Sequence, residues 1–218
     1  MPSDPIILGF DTSAAHCAAA LLLGGKVTAR IDPMAKGQAE HLMPMLEGML
    51  SAEGLKWADL SAIAVGIGPG NFTGIRISVA AARGLALGLG KPAIGVSLLE
   101  AQAANISGMV VSSLDARRDR VYMQAFCPGP QTEPALCALR PEDMPLLPAK
   151  PQPQIVGFRA DDIGEMMGWQ PVQAKTSMIE NIARIASRRV DSTKRPTPLY
   201  IRAADAAPSR IAAPVILS

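Results

Sequence analysis

Apolar runs separated by short polar or glycine-rich breaks organise the first half of the chain. Residues 6–10 (IILGF) lead into Asp11-Thr12-Ser13, which predicts a buried strand and a polar turn. The runs 17–23 (CAAALLL) and 27–31 (VTARI) flank Gly24-Gly25, the signature of a hairpin. Residues 38–53 place apolar side chains at 42, 45, 46, 49 and 50, the spacing of one helical face. Met43 beside Leu42 widens that surface, and Pro44 is tolerable only if the helix starts close to it or kinks there. Residues 62–67 (AIAVGI) predict a buried strand broken by Gly68-Pro69-Gly70. A helix is then predicted over about 73–89, roughly 25 Å long at 1.5 Å per residue. A strand over 93–96 and a helix over about 98–106, with Ser97 as its cap, complete a β-β-β-α-β-α-β-α order. That alternation predicts a mixed sheet with covering helices.

A second unit starts near Gly108, which divides the chain into lobes of residues 1–107 and 108–218, the last segment packing back on the first. Strands are predicted over 109–114, 120–126 and 154–157, with a short one at 136–139 inside a proline-rich loop over 128–153. Helices are predicted over 160–167 and 177–190, and an extended tail from Ser192 that carries Pro196, Pro198, Pro208 and Pro214.

Composition narrows the function. In 218 residues, 49% are hydrophobic, enough for a sizeable core, and a net charge of +2 is too small to mark a dedicated nucleic-acid binder. No run reaches 18 uninterrupted apolar residues and the first residues resemble no secretory signal, so a cytoplasmic protein with no membrane span is expected. Cys17, Cys127 and Cys137 lack the spacing of a zinc site or a disulfide framework and read as free thiols. The histidines, His16 and His41, make neither HxxxH nor HExxH, and no GxSxG elbow is present. No histidine metal site or hydrolytic triad is therefore expected.

The stretch GIGPGNFTGIRISVAAARGLALGLG, residues 66–90, looks like a phosphate loop feeding a helix. A Walker A reading fails, because its nearest lysine, Lys91, follows a helix and precedes Pro92. A dinucleotide fingerprint fails on glycine spacing. Two readings remain open. Amides near Phe72 to Ile75, with Arg76, are a generic anion site; or the glycines allow close backbone approach in a sharp turn. In the following helix Gly74, Ser78, Ala82, Ala86 and Gly90 recur every four residues, a smooth stripe for a closely packed helix inside or outside the chain. Gly84 and Gly88 lie within the helix at a cost of about 1 kcal/mol each against alanine. Asp11 and Asp115 both follow strands, as metal-holding carboxylates near a nucleotide or as turn residues. Residues 184–210 hold Arg184, Arg188, Arg189, Lys194, Arg195, Arg202 and Arg210 against Asp191 and Asp205, a solvated basic region or a phosphate contact for RNA.

Several segments resemble the TsaB (YeaZ) family, accessory subunits of bacterial tRNA threonylcarbamoyladenosine synthesis. They are IILGFDTSAAHCAAALLL, the GPGNFTGIR element with Asn71 where the family usually has Ser, LDARRDRVYMQAF and PLYIRAADA. The resemblance implies the two-lobed α/β fold of the actin, sugar-kinase and Hsp70 ATPase class, with mixed sheets flanked by helices. It implies a subunit that is not catalytic alone and pairs with a larger catalytic paralogue, TsaD, joined by the ATPase TsaE. TsaD transfers a threonylcarbamoyl group to adenosine 37 of tRNA. ATP and metal are expected on the partners, with tRNA contacted through the complex. A helical bundle between N-terminal lobes is the implied contact, and a homodimer forms on the same surface when the partner is absent. His41, Met45, Met49, Gly74, Ser78, Ala82 and Ala86 are the interface candidates. Gly68, Pro69, Gly70, Phe72, Thr73, Gly74 and Arg76 form the motif turn. Asp11, Thr12, Ser13 and Asp115 mark a vestigial nucleotide cleft. The rival readings are an ATP-dependent kinase or ATPase of the same fold, a glycoprotein endopeptidase and a direct tRNA-binding module.

Overall fold

The computed structural model describes residues 4–127, 131–148 and 150–201. At the start of the chain, Gly24 and Gly25 both take positive φ (54° and 77°), the pair of left-handed residues a tight two-residue hairpin turn demands. This turn joins strand β2 (His16–Leu23) to β3 (Lys26–Pro33) in antiparallel register, Leu23 opposite Lys26. Strand β1 (Ile7–Asp11) pairs antiparallel with β2 and parallel with β4 (Ala62–Gly66), which pairs parallel with β5 (Ala93–Val96). The first sheet therefore runs β3-β2-β1-β4-β5.

The second sheet repeats this plan. Strands β6 (Val110–Asp115), β7 (Arg120–Phe126) and β8 (Ala135–Ala138) form the antiparallel meander, and β9 (Gln154–Gly157) and β10 (Gln170–Pro171) add in parallel. Read from the meander, its order is β8-β7-β6-β9-β10, the counterpart of the first sheet. Two mixed sheets of one topology, each flanked by helices, make this the two-lobed actin, sugar-kinase and Hsp70 class expected from the sequence. Only β10 has no counterpart among the predicted strands; it is two residues long and one of them is Pro171.

Period-two alternation divides the first sheet between two cores. Leu8, Phe10, Cys17, Ala19, Leu21, Ile63 and Val65 face helices α1 (Gln38–Ala52) and α2 (Phe72–Leu89). The opposite side chains, Ile7, Ala18, Ala20, Ala62 and Ala64, face α5 (Met178–Ser187) and α3 (Leu98–Ala103). This second face is small, with Gly9 beneath Ile182 and Ala183, so α5 lies close on the sheet. Helix α4 (Ala160–Met167) covers the second sheet through Ile163, beside Val111, Met123, Ile155 and Trp169. Each fully buried Leu or Ile contributes about 1.5–3 kcal/mol.

Three local expectations change. Helix α1 continues past Pro44, which lies on its exposed side, as does Glu40, the residue whose carbonyl loses an amide partner. Helix α3 stops at Ala103, short of 106, because Asn105 turns to φ 63° and its amide donates to Asn181 Oδ1. Ser97 sits at the cap of α3, but its hydroxyl makes no capping bond. Residues 193–201 are extended, as expected, and lie along α2; the remaining tail, with Arg202, Asp205, Pro208, Arg210 and Pro214, lies outside the described residues.

Candidate functional site

The glycines of residues 66–74 receive the chain's own Asp-Thr-Ser turn. A Cβ on Gly74 would overlap the Thr12 carbonyl, one on Gly70 would lie 2.7 Å from the Ser13 carbonyl oxygen, and one on Gly66 would overlap the Asp11 carboxylate. Hydrogen bonds close the joint: Asn71 N donates to Ser13 O at 2.7 Å, and Thr12 Oγ1 donates to Gly74 O at 2.7 Å. Asn71 also caps α2, its Oδ1 accepting from Gly74 N at 3.0 Å. The seat in which a glycine loop would cradle phosphate is thus filled by protein. Of the two open readings, close backbone approach is the one the geometry realises. Arg76, expected beside an anion, instead lies with its guanidinium carbon 4.6 Å from the Phe72 ring centroid.

Asp11 is buried at the end of β1. Its Oδ2 accepts from Ser13 N (3.1 Å) and Ser13 Oγ (2.8 Å) and lies 3.1 Å from His16 Nε2. Its Oδ1 is enclosed against Gly66 and has no partner. A hydrated Mg²⁺ keeps several waters, and an enclosed oxygen against backbone has no space for them, so the residues present do not fit a nucleotide-bound cation. Asp115 ends β6 in the other sheet, exposed, its Oδ1 accepting from Arg117 N at 2.7 Å in a turn. The two aspartates occupy equivalent strand ends, and each closes a local turn. A surface cavity of about 280 Å³ is lined by Glu100, Asn105, Phe126, Asn181, Arg184 and Arg188 among others, away from the Asp-Thr-Ser turn.

The interface candidates need correction. Met45, Met49, Gly74, Ser78 and Ala82 are buried in the chain's own core, and His41 and Ala86 are half-buried, so the stripe at 74, 78 and 82 faces inward. His41 is held at 2.7 Å to Asp32 on β3. The outward side of α2 carries a second small-residue row, Ala80, Gly84 and Gly88, beside Leu87, which is 86% exposed. Nothing lies within 4 Å of a Cβ added at Gly84 or Gly88. Helix α1, which packs on the same core as α2, exposes Glu40, Met43, Glu47 and Gly48. By length and composition alone α2 is long and apolar enough to cross a membrane, at mean hydropathy 1.3, but its inner face is packed on the sheet and its outer face carries exposed Arg76 and Arg83.

Charge and thiol chemistry lie around β2 and β3. The Arg30 guanidinium, then the His41 hydrogen bond, hold the Asp32 carboxyl below the usual carboxylate range. Burial, with Asp32 and Asp11 nearby, pushes the Cys17 thiol up to about 11, and burial raises Cys137 as well. In the basic region, Arg184 donates to Gly25 O at 3.3 Å and Arg189 pairs with Glu100, while Arg188, Lys194 and Arg195 are exposed.

A family model described as TsaD, tRNA N6-adenosine threonylcarbamoyltransferase, matches residues 33–202. The chain belongs to this TsaD family. Within it, the chain is 38% identical over 125 residues to the tRNA threonylcarbamoyladenosine biosynthesis protein TsaB of Escherichia coli, covering 55% of this chain and 54% of that one. The chain spans about half the length of the curated relatives it matches. Two solved structures from Pseudomonas aeruginosa match with TM-score 0.71. One is an uncharacterized protein described as similar to the peptidase YeaZ, at 27% identity over 91% of this chain and 100% of that one. The other is YeaZ, at 25% identity over 90% and 99%. Sequence and structure thus place this TsaD-family chain with the TsaB/YeaZ proteins, as its motifs implied.

Proposed function

We propose that the chain is a non-catalytic subunit of a tRNA threonylcarbamoyladenosine-forming assembly, pairing with the larger TsaD paralogue, with TsaE as a further member. The observation that carries this reading is the outward row of α2. Glycine inside a helix costs about 1 kcal/mol against alanine, and nothing among the described residues packs on Gly84 or Gly88 to require it. A partner helix approaching closely over Ala80, Gly84 and Gly88, with Leu87 as its apolar anchor, does require it. A second copy of the chain covers the same face when the paralogue is absent. Adenosine 37 of tRNA is then modified on the paralogue, and ATP and metal are held by the partners.

The proposal is tested by reconstitution. Purified paralogue, TsaE-type ATPase and unmodified tRNA are incubated with and without this chain, and threonylcarbamoyladenosine is measured by nucleoside mass spectrometry. Product is expected only with the chain present. Equal product without it would refute the assignment. The same-fold kinase or ATPase reading is opposed by the enclosed Asp11 Oδ1; it requires the isolated chain to bind Mg-ATP by calorimetry, and to lose that binding in Asp11→Asn.

A further inference from the structure

The strap of residues 193–201 runs antiparallel along one flank of α2. Arg83 Nε donates to the Pro196 carbonyl at 2.8 Å, Leu199 N donates to Ile67 O at 2.8 Å, and Tyr200 reaches Phe72 at the start of the helix. The Phe72 and Tyr200 rings stack with centroids 4.8 Å apart and planes at 29°. Arg76 lies over the same Phe72 ring, so three planar groups share one stack. The stack is open to solvent: Phe72 is 37% exposed and Tyr200 43%. Neither α2 nor the strap carries an acidic residue, whereas Arg76, Arg83, Lys194 and Arg195 all lie on them. Lys194 and Arg195 are exposed.

We infer that this flank is a contact for single-stranded RNA: an unpaired base extends the stack on Tyr200, its own phosphate lies against Arg76, and phosphates about two or three nucleotides further along the strand lie against Lys194 and Arg195. Base–aromatic stacking is tolerant of sequence because every base offers a π-face, and cationic side chains beside it track the phosphates. The flank adjoins the outward row of the same helix, Arg76 lying one turn before Ala80 and Arg83 one turn before Leu87. The row from Ala80 to Gly88 is small and suits another helix; the aromatic and basic flank beside it suits an unpaired polyanion. The choice of RNA as the anion rests on the reading of the chain as part of a tRNA-modifying assembly.

The test uses the full chain and a fluorescent RNA hairpin with an unpaired loop, compared with a loopless duplex of equal length. Binding is read by anisotropy across a salt series, and pairing with the paralogue is read by light scattering. The hairpin is expected to bind more tightly than the duplex. Tyr200→Ala should weaken hairpin binding about tenfold and Tyr200→Trp should preserve it. Arg195→Glu should reduce the salt slope by about one. Pairing should be unchanged in all three variants; Tyr200→Ala, which loses the Phe72 stack, should lower the melting temperature by only a few degrees, and the other two should leave it unchanged. Wild-type chain that ignores the hairpin, or binds it no better than the duplex, overturns the inference, as does Tyr200→Ala binding at full strength. Pairing lost in Tyr200→Ala overturns it too, by making the flank a protein contact. Wild-type chain that binds the hairpin but never pairs with the paralogue would defeat the proposed function and leave this inference standing.

Discussion

At Gly74 an alanine methyl would overlap the Thr12 carbonyl, an atom of backbone with little freedom to move. Gly74→Ala is therefore expected to destabilise the chain by about 3 kcal/mol, read by urea unfolding. Gly84→Ala meets open space, so the same chemical change should stabilise the isolated chain by about 1 kcal/mol. Asn71→Ala removes the cap of α2 and should cost about 1 kcal/mol, while Asn71→Ser, a residue that also caps, should restore most of it. Asp32 titrates below its unfolded value, so its contribution is present above the ordinary carboxylate pKa near 4 and is lost as pH falls through the lowered folded value. The stability difference between wild type and Asp32→Asn should accordingly shrink on acidification. Cys17, at about 11, remains a thiol at pH near 8 and should resist iodoacetamide until the chain unfolds.

Helix α2 shows what a sequence reveals and what it hides. Its existence and limits were legible because apolar residues and glycine breaks bracket it, and the same held for α1, whose predicted face at 42, 45, 46, 49 and 50 is the buried one. Its orientation was not legible. Gly74, Ser78 and Ala82 on one side and Ala80, Gly84 and Gly88 on the other are both small at four-residue spacing, so periodicity alone cannot say which row faces the sheet. The deciding contact, Thr12 Oγ1 to Gly74 O, joins residues 62 positions apart. For this reason Ala82→Trp, aimed at a surface, should instead unfold the chain, because Ala82 has no exposed area. The strap is a similar case: its prolines predicted extension, but nothing local announced that Tyr200 would stack on Phe72.

Across the whole molecule, two sheets of one topology have diverged in what their strand ends do. The first lobe gains α5 and the strap from the end of the described chain, and its Asp-Thr-Ser turn is locked into the glycine loop. The second lobe leaves Asp115 exposed in a turn and closes with a strand of two residues. The first lobe is fastened at its Asp-Thr-Ser turn, and the outside of α2 exposes a row of small residues beside Leu87. The most direct test is light-scattering titration of the purified chain with its TsaD paralogue, for wild type, Leu87→Asp and Gly84→Leu. Wild type should form a complex, and both variants should weaken it at least tenfold while staying folded, Gly84→Leu unfolding at a urea concentration no lower than wild type. Complexes of equal strength in all three folded proteins would contradict the assignment of the outward face of α2 as the surface through which this chain works.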